Sequence, residues 1–410
     1  MRAWLALFLL LAGPAFGQAL PVFSPDGPDA VAHGRERGYP VPGVAPQARR
    51  QPFMVGGFSH FDTLLAARRV PRPVGASGLA RAERELALAY VHRGEQRTVE
   101  AYLERHPATG LLVLRDGVIL LERYRYGRRD THRFTSQSMA KTVTAMLVGI
   151  AVADGKIRSI DDPAGAYVRE FAGTELGRTP IRALLQMASG LAFTETYDGT
   201  DDAARMSREL WQADGAGTGA VLAGFDRREA EPGTRWLYAG RDTAALGLVL
   251  ARATGKSLAE LLAAGIWGPI GAEADAAWVV DASGQEAAHC CLSAVLRDWG
   301  RLGLLLARDG EAQGRQVVPR DWVRAATTAG PGSFLAPGAG GRFHGYGYQT
   351  WILPGARRQF VLLGIHGQAM FVDPQARLVL VHTAVRVRPT GDPDAGELLS
   401  LWRALVAQEG

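Results

Sequence analysis

The sequence predicts an α/β (α+β) protein: an antiparallel sheet built from both ends of the chain, flanked by N- and C-terminal helices and carrying an inserted helical domain. Three patterns point there. Two apolar runs within residues 109–124 meet at Arg115-Asp116-Gly117, where Asp-Gly readily takes the positive φ of a hairpin turn. Strand-like runs return at 346–352, 359–365, 369–372 and 378–384. Between them the apolar spacing is mostly helical, and strands joined by short turns pair antiparallel.

The elements follow in order. Arg2, an apolar run over 3–12, the breaker Gly13-Pro14 and Ala15-Phe16-Gly17 have the layout of a secretory signal peptide cleaved near Gly17. Export is therefore expected, leaving a periplasmic or secreted mature protein. No later apolar run reaches the length of a membrane span. Residues 18–100 read as an arm rich in Pro, Gly and Arg, extended or partly mobile to about residue 75, followed by one or two helices over 80–103. The sheet domain is discontinuous, 101–135 and 340–410, around a mainly helical domain at 136–339. Its helices are expected from Ser138, and over 179–187, 202–212, 242–254, 258–266 and 292–308. An amphipathic helix over 394–407 closes the chain.

With 47% hydrophobic and 21% charged residues, the chain can bury a large core. The formal charge of +5 comes from scattered arginines, so no basic patch tracks nucleic acid. Cys290 and Cys291 are the only cysteines. Because adjacent cysteines close only a strained ring, they read as two buried thiols, and with His289 they lack a fourth metal ligand. No metal or cofactor is implied, and nothing in the sequence sets an oligomeric state.

The chemistry concentrates at Ser138-Met139-Ala140-Lys141. Residues three apart share a helix face, so Ser138 and Lys141 can touch. Free N–H groups and the dipole at the helix start favour a developing anion there. The chain has only three lysines against 13 serines, so chance supplies about 0.1 Ser-x-x-Lys pairs. An alcohol needs a base to attack a carbonyl near neutrality. Lysine can serve if burial lowers its pKa from about 10.4 toward 7, which arginine cannot do.

These residues, with those below, resemble the serine β-lactamase and penicillin-recognising superfamily over about residues 105–408, and within it the class C-like esterases and 6-aminohexanoate-dimer hydrolases. Ser138 to Lys141 looks like the family's Ser-x-x-Lys, Tyr238 in Trp236-Leu237-Tyr238-Ala239-Gly240 its tyrosine motif, and Gly364-Ile365-His366-Gly367-Gln368 its third, strand motif. The resemblance implies a β-lactamase/transpeptidase-like fold. It also implies a cofactor-free serine hydrolase that acylates Ser138, with Lys141 as base, Tyr238 as proton relay, and the Ser138 and Ile365 amides holding the oxyanion. Tyr197 resembles the substrate-contacting tyrosine of nylon-oligomer hydrolases, and His366 and Gln368 are candidate substrate or orienting residues. Two positions depart from the pattern: Gly240 stands where many relatives have Asn, and His366 replaces the third-motif lysine. A small or linear amide or ester is thus expected over a β-lactam. The alternatives are a β-lactamase or D-Ala-D-Ala carboxypeptidase, and a non-catalytic ligand or cell-wall binder. A Ser-His-Asp triad using His132, His344 or His382 lacks a Gly-x-Ser-x-Gly elbow.

Overall fold

The computed structural model describes residues 20–76, 78–212, 215–330 and 332–410, so the signal-peptide reading lies outside the described residues. The main sheet contains β1 (Ala108–Arg115), β2 (Val118–Tyr124), β3 (Phe360–Gly364), β4 (Gln368–Asp373) and β5 (Leu378–Ala384), in the order β2-β1-β5-β4-β3. It continues into the short hairpin of Trp351–Ile352 and Gly345–Tyr346. All these pairings are antiparallel, and two-residue strands at Val22–Phe23 and Ala80–Arg81 add parallel pairings to β2. Asp116 and Gly117 take φ of 49° and 91°, as the Asp-Gly turn predicts.

The arm forms more than an extended wrap. It carries α1 (Gln51–Ser59), and Ala67–Val70 enters a second, four-stranded sheet with Ala276–Val279, Leu292–Val295 and Arg133–Thr135. That sheet leads directly into the serine segment, whose long helix is α2 (Ala140–Ala153).

Alternation along the strands splits the core in two. Leu111, Val113, Phe371 and Leu380 face α4 (Gly396–Glu409) once α3 (Leu296–Ala307) is placed on the other side, against Leu112, Leu114, Met370 and Val379. The short helix Val99–Arg105 joins α4 on its face through Val99, Tyr102 and Leu103.

Three sequence expectations need correction. The run 346–352 is not one strand: Tyr346 and Trp351 lie on opposite arms of a hairpin, with Gln349 turning at φ 55°. Residues 80–103 are not mainly helical: Ala89–His92 and Glu95–Thr98 form a hairpin, because Arg93-Gly94 turns at φ 51° and 82°. Only Val99–Arg105 is helical, with the Thr98 hydroxyl accepting the Ala101 N–H. Residues 292–295 belong to a strand paired with Arg133–Thr135, so that helix begins at Leu296. Among the described residues no helix is long and apolar enough to cross a membrane.

Glycines let α3 lie close to the sheet. A Cβ at Gly303 would stand 2.4 Å from Val379 Cγ1 and 3.0 Å from Met370 Sδ. Gly303→Ala is therefore expected to cost about 1–3 kcal/mol of stability through overpacking, despite alanine's better helix propensity. Urea denaturation of the variant beside wild type measures it.

Candidate active site

Ser138 sits in a 3-10 turn, Gln137–Met139, immediately before α2. The turn is tied to the second sheet: the Ser136 N–H donates to Leu292 O (2.7 Å), and the Leu292 N–H donates to Ser136 Oγ (3.1 Å). Gln137 has φ of 44°, so the chain bends sharply into Ser138. Ser138 remains partly accessible while its neighbours Gln137 and Met139 are buried.

Lys141 Nζ donates to Ser138 Oγ at 2.9 Å and to the His289 carbonyl at 2.9 Å. Its side chain is nearly sealed from solvent, at 2% exposure. Desolvation brings its pKa down to about 8, with the Glu195 charge acting in the opposite direction. About one lysine in ten is then neutral at pH 7. A neutral lysine in hydrogen-bond reach of a serine hydroxyl can take its proton.

Half-buried Tyr238 lies on the same side, its ring centroid 5.0 Å from Lys141 Nζ. Burial first, and the Glu195 charge next, raise the phenol's pKa, while the Ser138 hydroxyl hydrogen-bonds it and acts the other way. The phenol is thus protonated at neutral pH and can serve as a proton donor. Its ring stacks on Trp351 at 5.4 Å and meets Tyr346 edge-on, which fixes its direction.

The carbonyl that holds Lys141 belongs to a braced loop. Thr144 Oγ1 donates to Ala288 O, and Trp278 Nε1 donates to both Ala287 O and Cys290 O. Cys290 and Cys291 are joined in a disulfide, which corrects the expectation of two free thiols. Cys291 takes φ of 67°, the backbone bend that brings adjacent sulfurs together.

Ser138, Tyr197, Tyr238, Ile365 and Gln368 line one cavity of about 630 Å³, so the structure brings together six of the seven expected residues: these five and Lys141 behind the serine. The exception is His366. It is buried against Phe58 of α1, its Nδ1 lies 2.7 Å from Arg386 O, and desolvation lowers its pKa to about 4. It is a neutral residue that orients the turn after β3 and does not line the cavity. Gln368 does line it, but its amide is taken up by Ala384, Ile365 and His366 backbone groups. The histidines of the rival triad are occupied elsewhere: His382 lies between Tyr102 and Gly367 O, and His132 Nδ1 accepts the Arg129 N–H at 2.9 Å. His344 lines the cavity, but the Ser138 hydroxyl is engaged by Lys141 and Tyr238.

One residue absent from the sequence expectations occupies the place of the missing Asn. Gly240 has no side chain, and a Cβ there would lie 3.2 Å from Glu195 Oε2. The Glu195 carboxylate accepts the Gly240 N–H (2.5 Å) through that oxygen and the Tyr197 hydroxyl (2.7 Å) through the other. The signal was present as Gly240 itself: a glycine at the motif's third position leaves room for a side chain from elsewhere.

A profile of the β-lactamase family matches residues 96–400. This chain belongs to that family. It is 28% identical over 324 residues to the 6-aminohexanoate-dimer hydrolase of Paenarthrobacter ureafaciens, covering 75% of this chain and 81% of that protein. Its fold is similar to that of a candidate 6-aminohexanoate-dimer hydrolase from Bacillus anthracis, with a TM-score of 0.79, 22% identity, and coverage of 89% and 96% of the two chains. A family VIII carboxylesterase matches with a TM-score of 0.55 and 20% identity, over 74% of this chain and 93% of its own. The protein is a hydrolase of this β-lactamase-like family with a mixed fold built on antiparallel sheets.

Replacing the charge beside the lysine is a direct check on these electrostatics. Because Glu195 raises the Lys141 pKa, Glu195→Gln is expected to move the acidic limb of the kcat/KM profile to lower pH. A profile on a chromogenic ester over pH 5–10 reads the displacement, and an unmoved or upward-shifted limb contradicts the assignment.

Proposed function

We propose that the protein is an exported serine hydrolase that cleaves an amide or ester through an acyl-enzyme on Ser138, using no cofactor. The observation that carries this is the buried Lys141, brought to a pKa of about 8 and held 2.9 Å from Ser138 Oγ at the base of an open cavity. As Oγ bonds to the substrate carbonyl carbon, neutral Lys141 takes the hydroxyl proton. The Ser138 and Ile365 amide N–H groups stabilise the oxyanion, by the start of α2 and at the end of β3. Tyr238 passes a proton to the departing amine or alcohol, and the same groups then activate the water that releases the acid. Substrate contacts come from Tyr197, on the cavity wall. His366 acts through the turn it braces, and Gln368 through the backbone it ties.

Several features support a small or linear amide or ester over a β-lactam. The third-motif histidine is neutral and packed away, so it gives no cation, and the cavity wall is largely apolar, with Trp351, Leu363 and Phe371. The similarity to the Paenarthrobacter hydrolase, which acts on 6-aminohexanoate dimer, favours the same choice. The Cys290–Cys291 disulfide agrees with an oxidising compartment outside the cytoplasm.

Intact-mass spectrometry after treatment with a fluorophosphonate tests the mechanism. One adduct is expected on wild type and none on Ser138→Ala. Lys141→Ala is expected to lower ester turnover by roughly 10²–10⁴-fold. Wild-type kcat/KM is expected to rise about tenfold per pH unit on the acid side and level off near pH 8, because the base is active above its pKa. A folded protein with no adduct and no turnover would refute the reading and leave a ligand-binding module. Rapid nitrocefin hydrolysis would overturn the substrate preference.

A further inference from the structure

The cavity above Ser138 has an uneven charge balance. Its far wall is the loop between β5 and α4, where Arg386, Arg388 and Asp392 are the charged side chains. Two of the three are committed to each other. Arg386 is buried, and its Nη1 donates to Asp392 Oδ2 at 3.0 Å. The other Asp392 oxygen accepts the Asp394 N–H at 3.0 Å. Arg388 is exposed and makes no hydrogen bond or ion pair with any described residue. An otherwise apolar cavity therefore holds one uncommitted positive charge.

That charge is attached firmly to the reaction site. The His366 N–H donates to Pro389 O (2.9 Å), and the Arg386 N–H donates to His366 O (3.1 Å). Arg388 thus lies between two residues clamped to the turn that follows Ile365. The N-terminus of α4, with no side-chain cap, opens onto the same wall at Ala395 and Gly396 and adds a favourable dipole for an anion. Arg49, whose side chain also has no hydrogen bond or ion pair among the described residues, ends a 3-10 turn of the arm and is not among the residues lining this cavity.

We infer that Arg388 supplies the substrate-recognising cation that the third motif lacks, pairing with a carboxylate at the end of a flexible apolar chain whose amide or ester reaches Ser138. The substrate class is then a half-ester or half-amide of a dicarboxylic acid, with the free carboxylate on the acyl side. Guanidinium suits this role because its fork matches a carboxylate and its charge does not titrate. This inference rests on the hydrolase reading for its reaction, but its recognition step can be measured without turnover.

Two measurements separate the claims. The first compares p-nitrophenyl hydrogen adipate with its neutral methyl ester as substrates. Wild type is expected to prefer the acid in kcat/KM by on the order of 10- to 100-fold, carried by KM and weakened by added salt. The ratio should fall toward one in Arg388→Gln and recover in part in Arg388→Lys. The second titrates adipate into Ser138→Ala by calorimetry, with and without Arg388→Gln. Binding that is lost with the arginine supports the anchor whether or not the wild type turns over either ester. Binding that is unchanged in Arg388→Gln overturns it, as does an acid preference that survives Arg388→Gln or disappears instead in Arg49→Gln. Absence of turnover on both esters counts against the hydrolase reading alone.

Discussion

Everything at this site depends on keeping one ammonium group out of water. A lysine in solvent would hold its proton at neutral pH and be useless as a base. Here Lys141 is enclosed by the start of α2 and the braced loop at Ala287–Leu292, and its two hydrogen bonds, to Ser138 Oγ and His289 O, are those of a donor with little solvent left. Desolvation opposes the charge more strongly than Glu195 restores it, which leaves the pKa near 8. Were Glu195 in direct contact, an ion pair would form and the base would be lost. Its carboxylate instead accepts from Gly240 and Tyr197.

Much of the architecture serves that enclosure. The second sheet joins the arm strand Ala67–Val70, the lysine-facing loop through Leu292–Val295, and the serine lead-in Arg133–Thr135. Ala48 and Phe61 of the arm pack with Cys290 and Cys291 in one apolar cluster, so a segment far away in sequence backs the loop whose His289 carbonyl meets Lys141. The disulfide fixes the backbone one residue from the carbonyl that Lys141 touches. Position, not only burial, is at stake there, since a shift of that carbonyl would move the lysine away from Oγ.

The parts of this arrangement that were legible in the sequence are those set by local spacing. Ser138 and Lys141 are three apart, Asp116-Gly117 dictates its own turn, and the continuous apolar run that opens Leu378–Ala384 matches a strand buried on both faces. The short strands Ala67–Val70 and Arg133–Thr135 carry too few residues for a period, and their pairing is decided by partners more than 60 residues away. Residues 80–103 misled because apolar positions in a hairpin and in a helix overlap over so short a stretch, and the Arg93-Gly94 turn outweighed them. Cys290 and Cys291 misled because the cost of an adjacent disulfide is visible in sequence, whereas the left-handed Cys291 backbone that accommodates it is not.

The two motif departures teach the same lesson in opposite senses. At Gly240 the sequence lost a side chain, and the space was taken by Glu195, which arrives from 45 residues upstream with a charge where the family pattern has a neutral amide. At His366 the sequence lost a cation, and the structure holds an unpaired one on the neighbouring loop, tied to the same turn through Pro389. A motif records which side chain fills a place in relatives, while the chemistry requires only that the place be filled. Arg388 stands on the loop after β5 and not on the strand motif, so an anion paired with it would sit elsewhere relative to Ser138 than one paired with a strand lysine. For a rigid bicyclic ring such a shift removes the match, whereas a flexible chain can follow the cation, and this is the physical reason to place linear acidic substrates ahead of β-lactams.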